Sequence, residues 1–249
     1  MSRNRSPRAV GDAVTVTVLL LSRNSVGRLA DTIRRTIRTL EALAPSFEII
    51  ACDDASTDGS AALLERLAAR EPRLLVRRRA HRGGRWLALR EGFALARGTV
   101  VITQDGDGRV GPEQISVLLH GIRNGHDVVS GRRIGRALAV PRRIRSAGAR
   151  ALLGFLSGLS GRDWGSGFRA YRRQAVSALL SGPELTFILP DLLDLRGLNS
   201  ARVPVSETIP ADSDQDSFST AQLSLTMLRA IAALRVSRLR LRLLPSVHD

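Results

Sequence analysis

Residues 98–112 read GTVVITQDGDGRVGP, an apolar run that ends on two carboxylates, Asp105 and Asp107. The apolar part has the length of one buried strand, which places both carboxylates at the carboxyl end of that strand. Open α/β sheets bind ligands at this edge. Two carboxylates on one tight loop repel each other unless a cation lies between them, and Mg2+ or Mn2+ suits a few carboxylates together with phosphate oxygens. An Asp-Gly turn with solvated charges is the alternative interpretation of this loop taken alone.

Strand-like and helix-like patterns alternate around this loop. Short apolar runs predict strands at 14–21, 47–52, 74–78, 100–103 and 128–130. Apolar residues at steps of three and four predict helices at 28–43, 60–70, 86–96 and 115–123. This alternation favours an α/β fold with a mixed, mainly parallel sheet flanked by helices and right-handed crossovers.

The pattern changes after residue 131. The segment that follows is dense in Arg up to residue 150. Further on, the sequence predicts a helix at 151–159, a glycine-bearing loop at 161–173, a helix interrupted by Pro190 at 184–195 and an acidic loop at 210–220.

Composition narrows the class of partner. The chain has 249 residues, 43% of them hydrophobic, which is enough to bury a sizeable core. All 38 basic residues are Arg, and the net charge of +15 favours nucleotide sugars, nucleic acids or anionic membrane surfaces as partners. We expect no nucleic acid, because only two Trp, one Tyr and six Phe are available for stacking on bases and no known binding module is present.

The cysteine content and the apolar segments of the chain predict where in the cell the protein resides. The single cysteine, Cys52, cannot form an intramolecular disulfide, which fits a cytoplasmic protein. No stretch has about 18 uninterrupted apolar residues, so no transmembrane helix is predicted. No apolar core follows directly after the basic N-terminus, so no signal peptide is predicted either. Residues 222–244 form a basic amphipathic tail. The tail predicts peripheral contact with the inner face of the cytoplasmic membrane, and docking on the protein's own core is the alternative.

A second acidic loop follows the strand at 47–52, where residues 52–60 read CDDASTDGS. Asp58 or Ser60 can cap the following helix. Capping does not account for two adjacent carboxylates, Asp53 and Asp54, at the end of a buried strand. Acidic side chains at such strand ends accept hydrogen bonds from a ribose or a base, so this loop predicts a nucleotide site.

Six motifs occur in order along the chain: the segment 14–29, CDDASTDGS, HRGGRWLALREGFALARG, ITQDGDGRVGPEQI, DVVSGRR and RDWGSGFRAYRR. Together they resemble the family 2 glycosyltransferases of GT-A fold, and among these the dolichol-phosphate mannosyltransferase type of polyprenyl-phosphate sugar transferase. The resemblance covers about residues 14–208. It implies a Rossmann-like GT-A domain that transfers a hexose from a nucleotide diphosphate sugar, of the GDP-mannose or UDP-glucose type, to a polyprenyl (dolichyl or undecaprenyl) phosphate.

The resemblance also implies a role for each matching residue. Asp105 and Asp107 hold the divalent cation, Mg2+ or Mn2+, and are catalytic together with Asp163. Nucleotide contacts fall on Asn24, Asp53, Asp54, Arg82, Gly83 and Asp105. Acceptor or phosphate contacts fall on Arg132, Arg133, Gly167 and Arg169. For Arg169, a solvated or ion-paired role is as strongly expected as ligand contact.

The resemblance also predicts how the chain is divided into segments. We expect a disordered basic N-terminus at 1–13, and an acidic loop with the tail at 211–249. Between them lies a glycosyltransferase domain at 14–210, with a nucleotide-sugar half at 14–131 and an acceptor half at 132–210.

Departures from the family pattern leave a second interpretation open. The first loop keeps Asn24 but lacks the usual aromatic and acidic residues, and His81 stands where Asn is common. The late basic clamp of the family is replaced by an acidic stretch at 210–219, whose carboxylates would repel a diphosphate. The alternative is therefore a catalytically impaired glycosyltransferase-like protein that binds nucleotide or acts as an accessory factor.

Overall fold

A computed structural model describes residues 15–134, 167–181 and 198–207. Its strands are β1 (Val16–Ser22), β2 (Phe47–Asp53), β3 (Leu74–Arg78), β4 (Val100–Asp105), β5 (Val128–Ile134), β6 (Arg169–Arg172) and β7 (Ser200–Ser206). Its helices are α1 (Val26–Leu43), α2 (Ser60–Ala68), α3 (Gly84–Leu95), α4 (Ile115–Arg123) and α5 (Arg173–Leu180). A short 3-10 helix, Pro112–Gln114, leads into α4.

The strands form one sheet in the order β3-β2-β1-β4-β6-β5-β7. The first four strands are parallel, and β6 runs antiparallel to both β4 and β5, while β7 is parallel to β5. Strands β2 and β3 follow β1 towards one edge of the sheet, and β4 then lies on the opposite side of β1. Such a change of direction opens a crevice at the carboxyl ends of the strands, where α/β proteins bind ligands.

The register of β1 fixes what lies at that crevice. Ser22 pairs with Asp53 of β2, and Leu21 pairs with Asp105 of β4. The pairing continues into the loops, since the Asp54 N–H donates to the Ser22 carbonyl at 3.0 Å and the Gly106 N–H donates to the Leu21 carbonyl at 2.7 Å. Both acidic loops therefore leave the sheet one strand apart, on either side of β1.

Both faces of the sheet are covered, so β1 and β2 read as nearly continuous apolar runs instead of alternating ones. One face packs on α1, α2 and α4 through a cluster that includes Leu29, Ile33 and Leu118. The other packs on α3 and α5, where the rings of Phe93 and Tyr171 meet edge to face with centroids 5.3 Å apart.

The predicted fold class and the elements up to residue 134 agree with the structure, apart from one to four residues at the ends of several elements. The predicted loop at 161–173 is wrong from residue 169 onwards, because Arg169–Arg172 is a strand and α5 begins at Arg173. A four-residue strand between two others is too short to show a period of its own. The structure also adds β7, which the sequence did not predict.

Several predictions fall outside the described residues. They concern the N-terminus at 1–13, the helices at 151–159 and 184–195, the acidic loop at 210–220 and the tail at 222–244. Within the described part of the chain, no helix has the length and apolarity needed to cross a membrane.

Asp58 ties the starts of α1 and α2 together. Its Oδ1 accepts hydrogen bonds from the N–H and the hydroxyl of Ser60, at 2.9 and 2.6 Å, and its Oδ2 accepts the Val26 N–H at 2.9 Å. Burial raises the pKa of Asp58, but the hydrogen bonds from Ser60 and Val26 outweigh it, so its pKa lies below the ordinary value. This lowered pKa makes the contribution of Asp58 to stability dependent on pH.

We expect Asp58→Ala to lower the free energy of unfolding by about 1–2 kcal/mol at pH 7, because two helix N-termini lose their acceptor. A lowered folded-state pKa contributes stability above the unfolded value of about 4 and loses it as the pH falls through the folded value. The difference between wild type and variant in urea denaturation should therefore shrink below about pH 4. A constant difference down to acid pH contradicts this assignment.

The matched control is Asp31→Ala on the surface of α1. Asp31 lies 3.9 Å from Arg34 and 3.6 Å from Arg35, both in exposed ion pairs. Such pairs contribute little, so the control should stay within about 0.5 kcal/mol of wild type.

Candidate active site

Asp105 and Asp107 lie at the carboxyl end of β4. Asp105 is the last residue of the strand, and Asp107 follows after Gly106. A Cβ at position 106 would lie 3.0 Å from the Leu21 carbonyl oxygen, so glycine lets this loop pass close to β1. The two predicted metal ligands thus share one short loop at the crevice.

Three guanidinium groups surround these two carboxylates. Arg85, in the first turn of α3, donates to Asp105 Oδ1, and Arg133 of β5 lies 4.0 Å from Asp105 Oδ2. Arg109 is paired with Asp107, with its Nε 3.1 Å from Oδ2 and its backbone N–H 3.1 Å from Oδ1. Arg133 also binds a third carboxylate, Glu207, at 3.0 Å, so three carboxylates balance the three guanidinium groups at this site.

The two carboxylates differ in their titration. Burial raises the pKa of Asp105, but the charge and hydrogen bond of Arg85, helped by Arg133, outweigh it and hold that pKa below the ordinary value. Burial and the neighbouring Asp105 raise the pKa of Asp107, and Arg109 compensates only in part. The pKa of Asp105 is thus lower than that of Asp107.

The donor set fits a divalent cation that brings phosphate ligands with it. Asp105 and Asp107 offer carboxylate oxygens on one loop, and a Mg2+ site of this kind needs only one or two carboxylates beside substrate phosphates. Among the described residues, no group of three or more His, Cys, Asp and Glu side chains could form a cation cage made of protein alone. A cation at Asp105 Oδ1 would have to take the place of the Arg85 guanidinium.

The predicted nucleotide ligands Asp53 and Asp54 are engaged with the protein itself. Asp53 is fully buried and accepts the Ser56 N–H at 3.1 Å and the Ser56 hydroxyl. Asp54 accepts the N–H groups of Gly83 and Gly84 at 2.8 and 2.9 Å. Asp54 thereby places an anion at the N-terminus of α3, where the helix dipole favours one.

The other predicted nucleotide ligands lie near the same edge. Asn24 adopts a left-handed conformation with φ 48°, and its Oδ1 accepts the Thr57 N–H at 2.9 Å, which joins the first loop to the second. Gly83 presents its N–H to Asp54 and not to the crevice. Arg82 is exposed, as is His81.

The predicted acceptor ligands separate into two groups. Gly167 lies against the carboxylate loop, since a Cβ at this position would come within 2.8 Å of Asp105 Oδ2. Arg133 faces the same carboxylate, while Arg132 points the other way along β5 and is exposed. Arg169 begins β6 and is 6% exposed, which disfavours the fully solvated role. Asp163 lies outside the described residues.

Three residues at the site were missed by the sequence analysis: Arg85, Arg109 and Glu207. Glu207 follows β7 and accepts a hydrogen bond from Arg133 at 3.0 Å, so Arg133 joins it to Asp105. Arg133 and Glu207 are 74 residues apart, and Arg85 and Asp105 are 20 apart. Pairs this distant in the chain leave no local pattern in the sequence. For Arg85, the only signal in the sequence was its position directly after the paired glycines at 83 and 84.

Comparison with known proteins finds a matching family and named relatives of this chain. The model of the family described as Glycosyl transferase family 2 matches residues 17–180. An undecaprenyl-phosphate 4-deoxy-4-formamido-L-arabinose transferase from Pseudomonas paraeruginosa is 30% identical over 227 residues, which cover 91% of this chain and 67% of that protein. The protein of the same name from Proteus mirabilis is also 30% identical, over 91% of this chain and 69% of its own length.

Solved structures share the fold. Glucosyl-3-phosphoglycerate synthase from Mycobacterium tuberculosis, in complex with Mn2+, UDP and glucosyl-3-phosphoglycerate, superposes with a TM-score of 0.61 at 22% identity, over 94% of this chain and 86% of that one. Mannosyl-3-phosphoglycerate synthase from Rubrobacter xylanophilus gives a TM-score of 0.61 at 20% identity, over 95% and 77% of the two chains. The predicted GT-A fold is confirmed.

We expect Asp54→Ala to lower the free energy of unfolding by about 2–4 kcal/mol, because the N–H groups of Gly83 and Gly84 lose their acceptor in a half-buried place. Arg79, whose Nε lies 3.3 Å from Asp54 Oδ1, loses one of its two carboxylate partners and keeps Glu91. Chemical denaturation without any ligand measures this loss. If the stability stays at the wild-type value, the carboxylate is not holding α3 and is available to a ligand.

Proposed function

This chain belongs to glycosyl transferase family 2 and is a glycosyltransferase, and from that premise we propose that it transfers a hexose from a nucleotide diphosphate sugar to a polyprenyl phosphate. The observation that carries the proposal is the Asp105 and Asp107 loop at the crevice, surrounded by Arg85, Arg109 and Arg133. Both substrates in such a transfer are phosphate anions, and guanidinium groups are suited to bind them.

The donor diphosphate is proposed to lie over the Asp105 and Asp107 loop with Mg2+ or Mn2+. Both carboxylates would hold the cation, which when bound neutralises charge on the leaving diphosphate. The nucleoside is proposed to reach towards the loops that carry Asn24, Asp53 and Asp54. We place donors of the GDP-mannose and UDP-glucose types on an equal footing, so the assay below includes both.

Polyprenyl phosphate is proposed as the acceptor because the two named relatives are undecaprenyl-phosphate sugar transferases and each matches 91% of this chain. An acceptor phosphate oxygen would attack the anomeric carbon as the bond from that carbon to the donor diphosphate breaks. A phosphate monoester is largely ionised near pH 7, so the oxygen needs position and charge neutralisation more than a strong base. The proposed acceptor contacts are Arg132, which is exposed, Arg169 at the start of β6, and Gly167 two residues before it.

We expect Asp107→Ala to reduce transfer by at least about a hundredfold and to abolish manganese-dependent binding of nucleotide, since one of two cation ligands is lost. The fold should persist, because the Asp107 side chain pairs with Arg109 within the same loop and is not part of the sheet. The measurements are transfer from UDP-glucose and GDP-mannose to a short polyprenyl phosphate, and titration calorimetry with UDP and GDP with and without Mn2+.

Asp31→Ala on α1 serves as the matched control, and it should transfer sugar like wild type. Wild-type activity in the Asp107 variant would contradict the proposed site. Nucleotide binding by wild type without transfer to any acceptor would favour the alternative of an impaired enzyme or accessory protein. Failure of wild type to bind either nucleotide would overturn the proposed donor site.

A polyprenyl acceptor resides in a bilayer, so we further propose that residues 222–244 contact the membrane surface. The segment combines apolar residues with several Arg, which anionic lipids attract. Deleting residues 222–249 should remove most of the protein that sediments with vesicles containing anionic lipid, and raised salt should weaken the binding of the full chain. Equal sedimentation of both proteins would exclude this role for the segment.

A further inference from the structure

Arg85 occupies the position at Asp105 that a cation would take. Its guanidinium donates to Oδ1 of this carboxylate, from the first turn of α3. The other carboxylate oxygen, Oδ2, lies 4.0 Å from Arg133. Asp105 is therefore neutralised by the protein's own charges before any ligand binds.

The space around this guanidinium is closed by Gly167. A Cβ built on Gly167 would overlap the Arg85 guanidinium and come within 2.8 Å of Asp105 Oδ2. The glycine thus leaves just enough room between the segment before β6 and Asp105 for the side chain of Arg85. No larger residue at 167 would allow the observed Arg85–Asp105 pair without a shift.

A divalent cation and Arg85 cannot share Asp105 Oδ1. Both carry positive charge, so they repel each other, and each needs the same oxygen. If the cation binds, the guanidinium must take another anionic partner within reach of its side chain. A donor diphosphate on the same cation supplies one, because an Arg fork pairs well with phosphate oxygens.

We propose that Arg85 is a donor-binding residue that exchanges partners, pairing with Asp105 in the empty site and with the donor diphosphate once a cation occupies Asp105. This inference rests on the proposed function, since it assumes the cation and nucleotide site at the same loop. Its consequence is coupling: Arg85 opposes binding of the cation alone and favours binding of cation and diphosphate together.

The test measures Mn2+ binding by electron paramagnetic resonance of the free ion, and UDP and GDP binding by calorimetry at saturating Mn2+. Arg85→Gln should bind Mn2+ about tenfold more tightly without nucleotide, and should bind nucleotide about tenfold more weakly with Mn2+ present. A residue that only supports the structure would weaken both kinds of binding together. The opposite signs therefore distinguish partner exchange from a folding defect.

Arg90→Gln is the matched control, because Arg90 lies on the same helix and contacts the ring of Trp86, with its guanidinium carbon 5.9 Å from the ring centroid. It should bind Mn2+ and nucleotide like wild type. Gly167→Ala is the second variant, which keeps the charge of Arg85 but displaces the guanidinium from Asp105. It should also bind Mn2+ more tightly than wild type in the absence of nucleotide, with circular dichroism reporting that the fold is retained.

The outcomes separate this inference from the proposed function. If wild type binds Mn2+ and nucleotide but Arg85→Gln changes Mn2+ affinity by less than about twofold, or weakens it, the exchange is overturned and the proposed function stands. If wild type binds neither Mn2+ nor nucleotide, both are overturned.

Discussion

The parallel pairing of β1 with β2 on one side and β4 on the other is the constraint on which the site depends. One register places Asp53 beside Ser22 and Asp105 beside Leu21. Because the hydrogen bonding continues for one residue beyond each strand, both loops start from fixed positions. The crevice is thus a consequence of backbone pairing in a fully covered sheet, and the side chains at its rim can vary without altering it.

The four carboxylates at this rim are neutralised by two different kinds of partner. Asp53 and Asp54 are satisfied mainly by hydrogen bonds from Ser56 and from the N-terminus of α3, so they hold the two loops in shape. Asp105 and Asp107 are satisfied by guanidinium groups at the ends of long side chains. A backbone amide cannot leave without local unfolding, whereas a guanidinium can rotate to a new anion. The second pair is therefore the one suited to exchange partners with a ligand.

This difference also explains what the sequence could predict. The elements from β1 to β5 were predicted because buried apolar runs and helical periodicity are local signals. The carboxylate loop at 105–107 was found because it directly follows such a run. Arg85 and Glu207 were missed, since their partners come from other elements and the pairing exists only in the folded sheet. Strand β6 was missed because its four residues include a buried Arg and are placed by β4 and β5 on either side.

The charge balance at the carboxylate loop determines which ligands it can bind. The net charge of +15 favours anions in general, but at this site Arg85, Arg109 and Arg133 are balanced by three carboxylates, those of Asp105, Asp107 and Glu207. A divalent cation added alone would give this balanced site a net positive charge, and a diphosphate added alone would bring its negative charge close to Asp105 and Asp107. Added together, they cancel each other's charge, so the electrostatics of this loop favour a cation and a nucleotide diphosphate that arrive as a pair.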